Sequence, residues 1–507
     1  MTKPETLRPA GVPTSLAALL PGAPDVAVTG LSLSSAGVRP GDLYVALPGA
    51  STHGARFALD AVAAGAMAVL TDPAGRDLAG AATPAVPIVV VADPRAELGR
   101  LAVEIYRHPA ERLNLYGITG TTGKTSTTFL LAAGLAAAGQ RVGTIGTIGF
   151  TLDGAQLPTA RTTVTTPEAP DLQALLAYLV EHGADAVAME VSSHALALRR
   201  VDGVVFNIAA FTNLGRDHLD FHRDQEPYFQ ATASLFRDGR CRAAVVNIDD
   251  EYGRRLAVEL TDAGTRLVTT GFGVDADYHP IERTELADGR SQVRVATPGG
   301  EVDFTLGLLG EFNVRNAVTA IAILDVAGVD LAQALPGFAD AYVPGRMQRV
   351  DLGADAPSVV VDFAHTPEAV AAALAALPEG RRIAVLGCGG DRDQAKRGPM
   401  GAAAARGAAL VVVTDDNPRS EDPAAIRAAV LAGAREAALE TGAEVVDGGD
   451  RADAIRLALS LARPGDRVAL LGKGHETGQQ LAGRTIEFDD ARTVLRLWEE
   501  LRGAVDA

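Results

Sequence analysis

The sequence predicts an α/β protein with three α/β domains in series. Short apolar runs typical of buried strands alternate with alanine-rich runs typical of helices, and glycine or proline separates them. A chain of 507 residues has room for about three domains of roughly 150 residues each. We therefore expect domains at residues 1–110, 111–343 and 344–507, with VPGRMQRV as the linker between the second and the third.

Each predicted domain has its own set of strand-like runs. In the first they are VAVTGLSL, DLYVALPG, MAVLTD and VPIVVVAD. In the second they are RVGTIGTIGF, DAVAMEVSS, GVVFNIAAFTN and AAVVNID, whose nearly continuous apolar character is typical of a mostly parallel sheet. Residues 276–308 are predicted to form a hairpin insertion. The third domain begins again with SVVVDFAH, RRIAVLGCG, ALVVVTDD and RVALLGKG, which predicts a Rossmann-like sheet.

The composition and net charge disfavour some classes of partner. With 47% hydrophobic and 21% charged residues the chain is predicted to be globular, and its net charge of −17 disfavours nucleic acid or an anionic membrane as a partner. The only cysteines, Cys241 and Cys388, make no disulfide framework and fit a reducing compartment. The apolar segment SLAALLPG is too short to be a signal peptide or a membrane span. We therefore expect a cytoplasmic protein, and we expect it to be a monomer.

A glycine-rich segment, TGTTGKT at residues 119–125, lies between a strand-like and a helix-like run. Backbone N–H groups in such a turn bind phosphate, Lys124 can reach the outer phosphates, and the Thr125 hydroxyl can bind Mg²⁺. The common GxxxxGK[ST] pattern is incomplete, because Ile118 takes the place of its first glycine. Nucleotide binding is still favoured over an ordinary turn. A GTPase is disfavoured, because no lysine follows Lys124 before Lys396 to form an NKxD motif.

Two further features are predicted to lie near this loop. Glu190 ends the strand-like run in AMEVSSHAL, where an acid can hold or orient Mg²⁺; the alternative is a buried acid with structural partners. The segment FTNLGRDHLDFH concentrates polar side chains in one loop, which predicts a metal or phosphate site rather than a solvated turn. These side chains are Asn213, Arg216, Asp217, His218, Asp220 and His222.

The combined motifs resemble the Mur ligase family in their order along nearly the whole chain. They are TGTTGKT, TTPE (165–168), MEVSSH (189–194), FTNLGRDHLDFH (211–222), EFNVRNAV (311–318), PGRMQRV (344–350) and DFAHTPEA (362–369). Three C-terminal segments are similar to those of members that add diaminopimelate to UDP-N-acetylmuramoyl-L-alanyl-D-glutamate. They are GCGGDRDQAKRGPMG (387–401), DDNPRSEDP (415–423) and LLGKGHETGQ (470–479).

The resemblance implies an ATP- and Mg²⁺-dependent ligase of peptidoglycan synthesis. It implies that the three domains bind the UDP-sugar, ATP and the amino acid, and that the reaction proceeds through an acyl phosphate. The implied catalytic residues are Lys124, Glu190 and His218, and the metal ligands are Thr125, Glu190 and His218. The implied ATP-binding residues are Gly120, Thr121, Thr122, Gly123, Lys124, Thr125, Ser126, Asn313, Asn316, Arg346, Asp362 and His365.

The resemblance also implies the binding residues for the other two substrates. Those for the UDP-linked substrate are Ser35, Thr165, Thr166, Ser192 and Arg200. Those for the amino acid are Arg392, Asp416, Asn417, Pro418, Arg419, Gly472 and Glu476. Arg419 is a physically sensible discriminator, because a guanidinium makes a planar, two-pronged bond to the distal carboxylate that diaminopimelate has and lysine lacks. The alternative is a surface arginine after a proline turn.

The sequence departs from the family pattern at three positions. Thr232 stands in YFQATASLF where the family has a lysine whose carbamate serves Mg²⁺. Ala36 and Leu198 replace polar residues near the UDP-linked substrate. Three alternatives therefore stay open: the ligase implied above, a relative that performs the same chemistry on another acceptor, and a nucleotide-binding protein without catalysis. A folate polyglutamylating relative is disfavoured by DNPR followed by GKGHE.

Overall fold

The computed structural model describes residues 7–9, 11–49, 51–80, 86–158, 164–215, 217, 219–286, 289–353 and 355–505. Three α/β regions follow one another along the chain, each with its own sheet. The chain divides into two compact units. The first comprises residues 1–281, 295–302 and 316–338, and the second comprises residues 282–294, 303–315 and 339–507. In the described part of the chain, no helix is long and apolar enough to cross a bilayer.

The N-terminal region is built on a parallel sheet of four strands in the order β3-β4-β5-β6. A two-stranded antiparallel sheet, β1-β2, precedes it. Leu43 and Leu70 on the sheet and Leu101 on α4 are fully buried and pack in one core. The strands are β1 (Thr14–Ser15), β2 (Ala27–Val28), β3 (Gly30–Ser32), β4 (Asp42–Ala46), β5 (Ala68–Thr71) and β6 (Ile88–Val90), and the helices are α1 (Leu16–Leu19), α2 (Ala58–Ala63), α3 (Pro73–Gly80) and α4 (Pro94–Ile105).

The central region contains an eight-stranded sheet in the order β10-β9-β8-β11-β7-β12-β13-β14. Strands β8, β11, β7, β12, β13 and β14 are parallel, and β9 and β10 are antiparallel additions at one edge. These strands are β7 (Asn114–Thr119), β8 (Val142–Gly146), β9 (Gly149–Leu152), β10 (Ala155–Gln156), β11 (Ala186–Glu190), β12 (Phe206–Phe211), β13 (Cys241–Asn247) and β14 (Leu267–Thr270). Because β7 lies between β11 and β12, the loops after these three strands meet at the carboxyl edge of the sheet.

Helices and a small separate sheet complete this part of the sequence. The predicted hairpin insertion is a three-stranded sheet in the order β15-β16-β17. Its strands are β15 (His279–Glu285), β16 (Ser291–Thr297) and β17 (Gly300–Leu306). The helices are α5 (Lys124–Ala137), α6 (Ala169–Glu181), α7 (Ser193–Ala197), α8 (Leu219–His222), α9 (Gln225–Ala233), α10 (Glu251–Asp262), α11 (Glu311–Val326) and α12 (Leu331–Ala334).

The C-terminal region has a six-stranded sheet in the order β18-β19-β23-β20-β21-β22, parallel except for β18. Alternate residues of β21 enter different cores: Val411 and Val413 face one, and Leu410 and Val412 face the other. Both faces are therefore covered, as expected for a parallel sheet. The strands are β18 (Gln348–Val350), β19 (Ser358–Asp362), β20 (Arg382–Leu386), β21 (Leu410–Thr414), β22 (Glu444–Gly449), β23 (Arg467–Leu471), β24 (Gly478–Leu481) and β25 (Arg484–Glu487).

Five helices flank this sheet, and β24 and β25 form a separate antiparallel hairpin after β23. Helix α15 begins after Asp422, whose side chain accepts a hydrogen bond from the Ala424 N–H, and it ends at Gly442 with a φ of 74°. An N-cap aspartate and a left-handed glycine are the usual helix boundaries. The helices are α13 (Pro367–Ala375), α14 (Arg397–Gly407), α15 (Pro423–Thr441), α16 (Arg451–Leu461) and α17 (Asp490–Val505).

Candidate active site

The glycine-rich loop joins β7 to the first residue of α5, Lys124, as the sequence predicts. Gly120 and Gly123 have φ values of 129° and 86°, which L side chains rarely adopt. A Cβ on Gly123 would also clash with the side-chain oxygen of Asn316. The Lys124 ammonium donates to the Gly120 and Thr121 carbonyl oxygens at 2.6 and 2.9 Å, so it lies over the loop.

The end of β12 fixes the shape of this loop. The Asn213 carbonyl oxygen accepts from the Thr121 N–H at 2.9 Å, and its side-chain oxygen accepts from the Thr122 N–H at 3.0 Å. The Thr212 hydroxyl donates to the Thr122 carbonyl oxygen at 2.7 Å. These bonds hold the loop as a preformed turn at the N-terminus of α5, where N–H groups and the helix dipole favour an anion.

Glu190 lies at the carboxyl end of β11, beside β7. It is 1% exposed, and its carboxylate accepts from the Thr125 hydroxyl at 2.9 Å and from the Thr147 N–H at 2.8 Å. A carboxylate and a hydroxyl fit Mg²⁺, which binds through one or two protein oxygens together with phosphate and water. Within the described residues there is no group of three or more His, Cys, Asp or Glu side chains arranged for a metal.

The polar loop that follows β12 is described only in part. His218 and Arg216 lie outside the described residues. His222 is 8% exposed, its Nε2 lies 2.9 Å from the Ser193 hydroxyl, and its ring stacks on Tyr228 at 5.2 Å. The Tyr228 hydroxyl lies 2.9 Å from that of Thr121. His222 therefore belongs to a packed cluster that supports the phosphate loop.

Thr232 is buried on α9, in the turn that follows Tyr228. It is 1% exposed, and its hydroxyl donates to the Tyr228 carbonyl oxygen at 2.9 Å. This is the usual back-bond of a threonine to the residue four positions earlier in a helix. The hydroxyl is thus engaged within its own helix.

Four of the five residues predicted to bind the UDP-linked substrate are linked near the end of β11. The Thr166 hydroxyl donates to the Glu190 carbonyl oxygen at 2.9 Å and accepts from the Ser192 N–H at 3.1 Å. The Arg200 guanidinium donates to the Thr166 carbonyl oxygen at 3.2 Å. The Thr165 hydroxyl lies 3.1 Å from that of Thr147, which also contacts Glu190.

The fifth residue, Ser35, belongs to a 3-10 helix, Ser35–Gly37, after β3. Among the described residues, its side chain makes no hydrogen bond to the four residues near the end of β11.

The guanidinium of Arg200 is held by the Glu168 carboxylate at 2.8 Å, and Arg95 bonds to the other oxygen of that carboxylate at 3.1 Å. Glu168, at the start of α6, therefore joins Arg95 of α4 and Arg200, which follows α7, in one ion-pair network.

The two asparagines of EFNVRNAV have different surroundings. Asn316 is 6% exposed and lies beside Gly123 of the phosphate loop. Asn313 is fully buried, and its amide donates to the Leu309 carbonyl oxygen at 2.7 Å, just before α11. A contact of either side chain with adenine stays a prediction.

Asp362, at the carboxyl end of β19, is buried beside Arg346 and Met347. Its carboxylate accepts from the Met347 N–H at 2.7 Å. Burial raises the pKa of this carboxyl group, and the positive charge of Arg346 opposes that rise. The Arg346 guanidinium also lies over the Phe363 ring at 4.6 Å. His365 Nδ1 lies 2.7 Å from the Phe363 carbonyl oxygen, so the predicted phosphate- and ribose-binding residues of this unit occur together.

The DNPR segment, Asp416 to Arg419, follows β21, and the GKGHE segment follows β23. The Asn417 amide donates to the Glu476 carboxylate at 2.7 Å, and the Lys473 ammonium lies 3.3 Å from the same oxygen. Gly472 has a φ of 108°, and a Cβ there would meet the Asp416 carboxylate at 2.6 Å. The two predicted segments are therefore in direct contact.

The Arg419 guanidinium is half-buried and already oriented. Its Nε donates to the Gln480 side-chain oxygen at 2.9 Å, and Nη1 donates to the Gly390 carbonyl oxygen at 2.7 Å. Pro418 is buried before it, and Arg392 is exposed on the neighbouring 389–392 loop. A guanidinium has five N–H groups, so three remain on the terminal nitrogens of Arg419, enough for a two-pronged bond to a carboxylate.

Three family models match the chain in succession. They are the Mur ligase family catalytic domain over residues 27–106, the Mur ligase middle domain over residues 118–324, and the Mur ligase glutamate ligase domain over residues 345–474. The chain belongs to the Mur ligase family. It is accordingly an ATP-dependent amide ligase.

Relatives in this family match the chain over nearly its whole length. A UDP-N-acetylmuramoyl-L-alanyl-D-glutamate–2,6-diaminopimelate ligase of Streptomyces avermitilis is 49% identical and covers 98% of each chain. The ligase of that name in Corynebacterium glutamicum is 47% identical over 92% of this chain and 91% of the relative. A UDP-N-acetylmuramyl-tripeptide synthetase of Leifsonia xyli subsp. xyli is 46% identical over 93% of this chain and 92% of the relative.

Solved structures of Mur ligases share the fold. That of a UDP-N-acetylmuramoyl-L-alanyl-D-glutamate–2,6-diaminopimelate ligase has a TM-score of 0.68 and 30% identity, and the match covers 97% of this chain and 100% of that one. The MurF ligase of Thermotoga maritima in complex with ADP has a TM-score of 0.63 and 17% identity, and covers 94% of this chain and 98% of that one. The second likeness concerns the fold alone.

Several residues that shape the candidate site are not predicted from the sequence. Thr147 bonds to Glu190, and Thr212 bonds to the phosphate loop. Lys473 contacts Glu476, and Gln480 accepts a hydrogen bond from Arg419. Lys473 had a usable signal: it is one of only four lysines, and it lies inside a recognised motif. Gln480 had none, because an exposed glutamine on a hairpin has no pattern of its own.

Proposed function

We propose that this chain adds diaminopimelate to UDP-N-acetylmuramoyl-L-alanyl-D-glutamate, using ATP, in peptidoglycan biosynthesis. The observation that carries the proposal is the oriented Arg419 guanidinium, in contact with the hairpin that follows GKGHE, in a chain that also has the preformed phosphate loop. The names of relatives at 47–49% identity agree with it. The substrate and ATP occur in the cytoplasm, where we propose that the protein acts as a monomer.

The chemistry has two steps. The free carboxylate of the D-glutamyl unit attacks the γ-phosphorus of ATP, an acyl phosphate forms, and ADP leaves. The amine of the incoming amino acid then attacks the acyl carbon and an amide bond forms. The phosphate group leaves with the bonding electron pair, and the proton lost by the amine balances as hydrogen phosphate. Both steps depend mainly on positioning and on neutralisation of phosphate charge.

The phosphate loop is proposed to bind the ATP phosphates in the first step. The loop N–H groups and Lys124 are suited to the β- and γ-phosphates, because the bonds from Thr212 and Asn213 leave the loop already shaped. Thr125 and Glu190 would hold Mg²⁺, which neutralises phosphate charge when it is bound. His218 is proposed as a ligand of a second metal, on family resemblance.

The proposed binding site for the amino acid contains two side chains of opposite charge, Arg419 and Glu476. Arg419 is suited to the distal carboxylate of diaminopimelate, and Glu476 to its distal ammonium. Glu476 is held by the Asn417 amide and the Lys473 ammonium through one carboxylate oxygen. Lysine lacks the distal carboxylate, so it would leave the Arg419 guanidinium without its anion. Arg392 is proposed as a further contact.

The remaining substrate contacts follow the same reasoning. Arg346 and Asp362 are proposed to contact phosphate and ribose of ATP, with His365 beside them, and Asn313 and Asn316 are proposed to lie near adenine. Thr165, Thr166, Ser192 and Arg200 form a connected polar set that supports binding of the UDP-linked acceptor. Ser35 is proposed as a contact from the N-terminal region.

The test is phosphate release by purified protein with ATP, Mg²⁺ and the UDP-linked dipeptide. Parallel reactions contain meso- or LL-diaminopimelate, lysine, or no amino acid. We expect release with a diaminopimelate isomer and little with lysine. Arg419→Lys should lose most of that preference, whereas Arg406→Lys, at an exposed position on α14, is the matched control. Equal release by wild-type protein with lysine would refute the role of Arg419.

A relative with the same chemistry but another acceptor or amino acid is the second candidate. Thr232 favours it, because its hydroxyl is turned into its own helix and carries no charge toward a metal. Release that requires an amino acid other than diaminopimelate, or a different acceptor, would establish this candidate.

A further inference from the structure

The hairpin β24–β25 is bound to the DNPR segment along its first strand. The Gln479 side-chain amide donates to the Asp416 carbonyl oxygen at 2.7 Å, and the Gln480 N–H donates to the Asn417 side-chain oxygen at 2.8 Å. The Arg419 N–H donates to the Gln480 carbonyl oxygen at 3.0 Å. Three hydrogen bonds therefore fix the first strand of the hairpin against the segment that carries Arg419.

The Gln480 side chain of this hairpin contacts the Arg419 guanidinium directly. The Gln480 side-chain oxygen accepts from Arg419 Nε at 2.9 Å, while the Gly390 carbonyl oxygen accepts from Nη1 at 2.7 Å. Two acceptors on different atoms of a planar group fix both its position and the orientation of its plane. The N–H groups that remain are on the terminal nitrogens, where a two-pronged bond to a carboxylate can form.

Gln480 is uncharged, so it differs from a glutamate in its effect on the charge around Arg419. A glutamine oxygen orients Arg419 without adding a negative charge beside the guanidinium. A glutamate would form an ion pair with Arg419 and compete with the ligand carboxylate. The nearby acid, Asp391, makes its hydrogen bonds to Ser420 instead: its oxygens accept from the Ser420 hydroxyl at 2.7 Å and from the Ser420 N–H at 3.1 Å.

We propose that Gln480 is a positioning residue that fixes the Arg419 guanidinium for the distal carboxylate of the amino-acid substrate. The proposal rests on the proposed function and deepens it. Gln480 itself does not touch the reacting atoms, so it governs the apparent affinity for the diacid rather than the chemical steps. Its loss should therefore raise the KM for diaminopimelate and leave kcat and the KM for ATP nearly unchanged.

The experiment compares Gln480→Met, Gln480→Glu and Thr485→Ala in the phosphate-release assay. Gln480→Met has a similar size but no acceptor, and we expect its KM for diaminopimelate to rise roughly 3- to 10-fold. Gln480→Glu should raise KM at least as much, because it competes for the guanidinium. Thr485 is exposed and pairs with Gln480 across the hairpin, so Thr485→Ala is the matched control and should leave KM unchanged.

A double-mutant cycle with Arg419→Lys separates positioning from general damage to the hairpin. If Gln480 acts through Arg419, Gln480→Met should add little to the KM of the Arg419→Lys protein. An unchanged KM in Gln480→Met, an equal rise in Thr485→Ala, or fully additive effects would each overturn the inference alone. Wild-type protein that releases no phosphate in response to diaminopimelate would instead overturn the proposed function, and the inference with it.

Discussion

The buried ion pair between Arg451 and Asp490 offers the sharpest stability test. Both side chains are 0% exposed, and the carboxylate accepts from Nε at 2.7 Å and from Nη2 at 2.6 Å. Nη2 also donates to the Leu471 carbonyl oxygen at 3.1 Å, directly before Gly472 of the candidate site. The pair thus joins the starts of α16 and α17 to the end of β23.

Removal of the carboxylate takes away the ion-pair partner of a fully buried guanidinium. Breaking such a pair from one side costs about 3–5 kcal/mol of unfolding free energy, and Asp490→Asn should fall in this range. Apart from residue 490, only the Leu471 carbonyl oxygen accepts from Arg451 among the described residues, and Nη1 is buried there without a hydrogen-bond partner. Arg451→Met combined with Asp490→Leu removes both charges, and should be more stable than Asp490→Asn by about 2 kcal/mol or more.

Urea unfolding followed by the fluorescence of Trp498 measures these changes. Trp498 is the sole tryptophan, and it lies on α17, packed against the core of this unit. Glu500→Gln is the matched control, because Glu500 pairs with Arg456 at 2.6 Å between the same two helices but at the surface, where water solvates both charges. The reasoning fails if Asp490→Asn loses no more stability than Glu500→Gln, or if the double variant is no more stable than Asp490→Asn.

Three further predictions concern the candidate site. Lys124→Met should lower kcat at least about 100-fold with an unchanged melting temperature, measured by phosphate release and thermal unfolding, because the ammonium is proposed to bind phosphate and does not pack in the core. Thr232→Lys should lower the melting temperature, because an ammonium replaces a hydroxyl that is 1% exposed; an unchanged melting temperature with higher phosphate release would contradict this. Burial raises the pKa of the Asp362 carboxyl group above its value in the unfolded chain. The contribution of this carboxyl group to the unfolding free energy is therefore present below about pH 4 and is lost as the pH rises through the raised pKa. Asp362→Asn should therefore flatten that fall in unfolding free energy, measured by urea unfolding at a series of pH values.

The fold class was predictable because the strands of the central and C-terminal sheets are nearly continuous apolar runs. DAVAMEVSS and ALVVVTDD contain β11 and β21 where the sequence predicts strands. The run RVGTIGTIGF predicts a single strand, but the chain turns at Thr147 and Ile148 and forms the antiparallel pair β8 and β9. Apolar residues continue through that turn, so hydrophobic pattern alone does not reveal it. The domain boundaries at residues 110 and 343 stay a prediction.

The site was predictable to the extent that its residues lie within short motifs. The glycine-rich loop, DNPR and GKGHE each bring several residues together through local sequence alone. The supporting residues come from elsewhere in the chain, and they depend on strand order: β12 lies beside β7, so Thr212 and Asn213 reach a loop about 90 residues earlier in the sequence. A single sequence gives no strand order, so Thr212 and Gln480 could not be assigned in advance.

Backbone strain gives an independent reason to connect the loops of the second unit with function. Within its described residues, the non-glycine residues with clearly positive φ are Met347 at 46°, Asp391 at 53° and Arg419 at 53°. Each costs roughly 1–3 kcal/mol relative to an unstrained backbone, and a glycine would avoid most of that cost. Met347 is next to Arg346, Asp391 is next to Arg392, and Arg419 is itself a predicted contact. A chain with 54 glycines keeps a bulkier residue at these three positions, which is expected where the loop shape and side chains serve binding rather than stability.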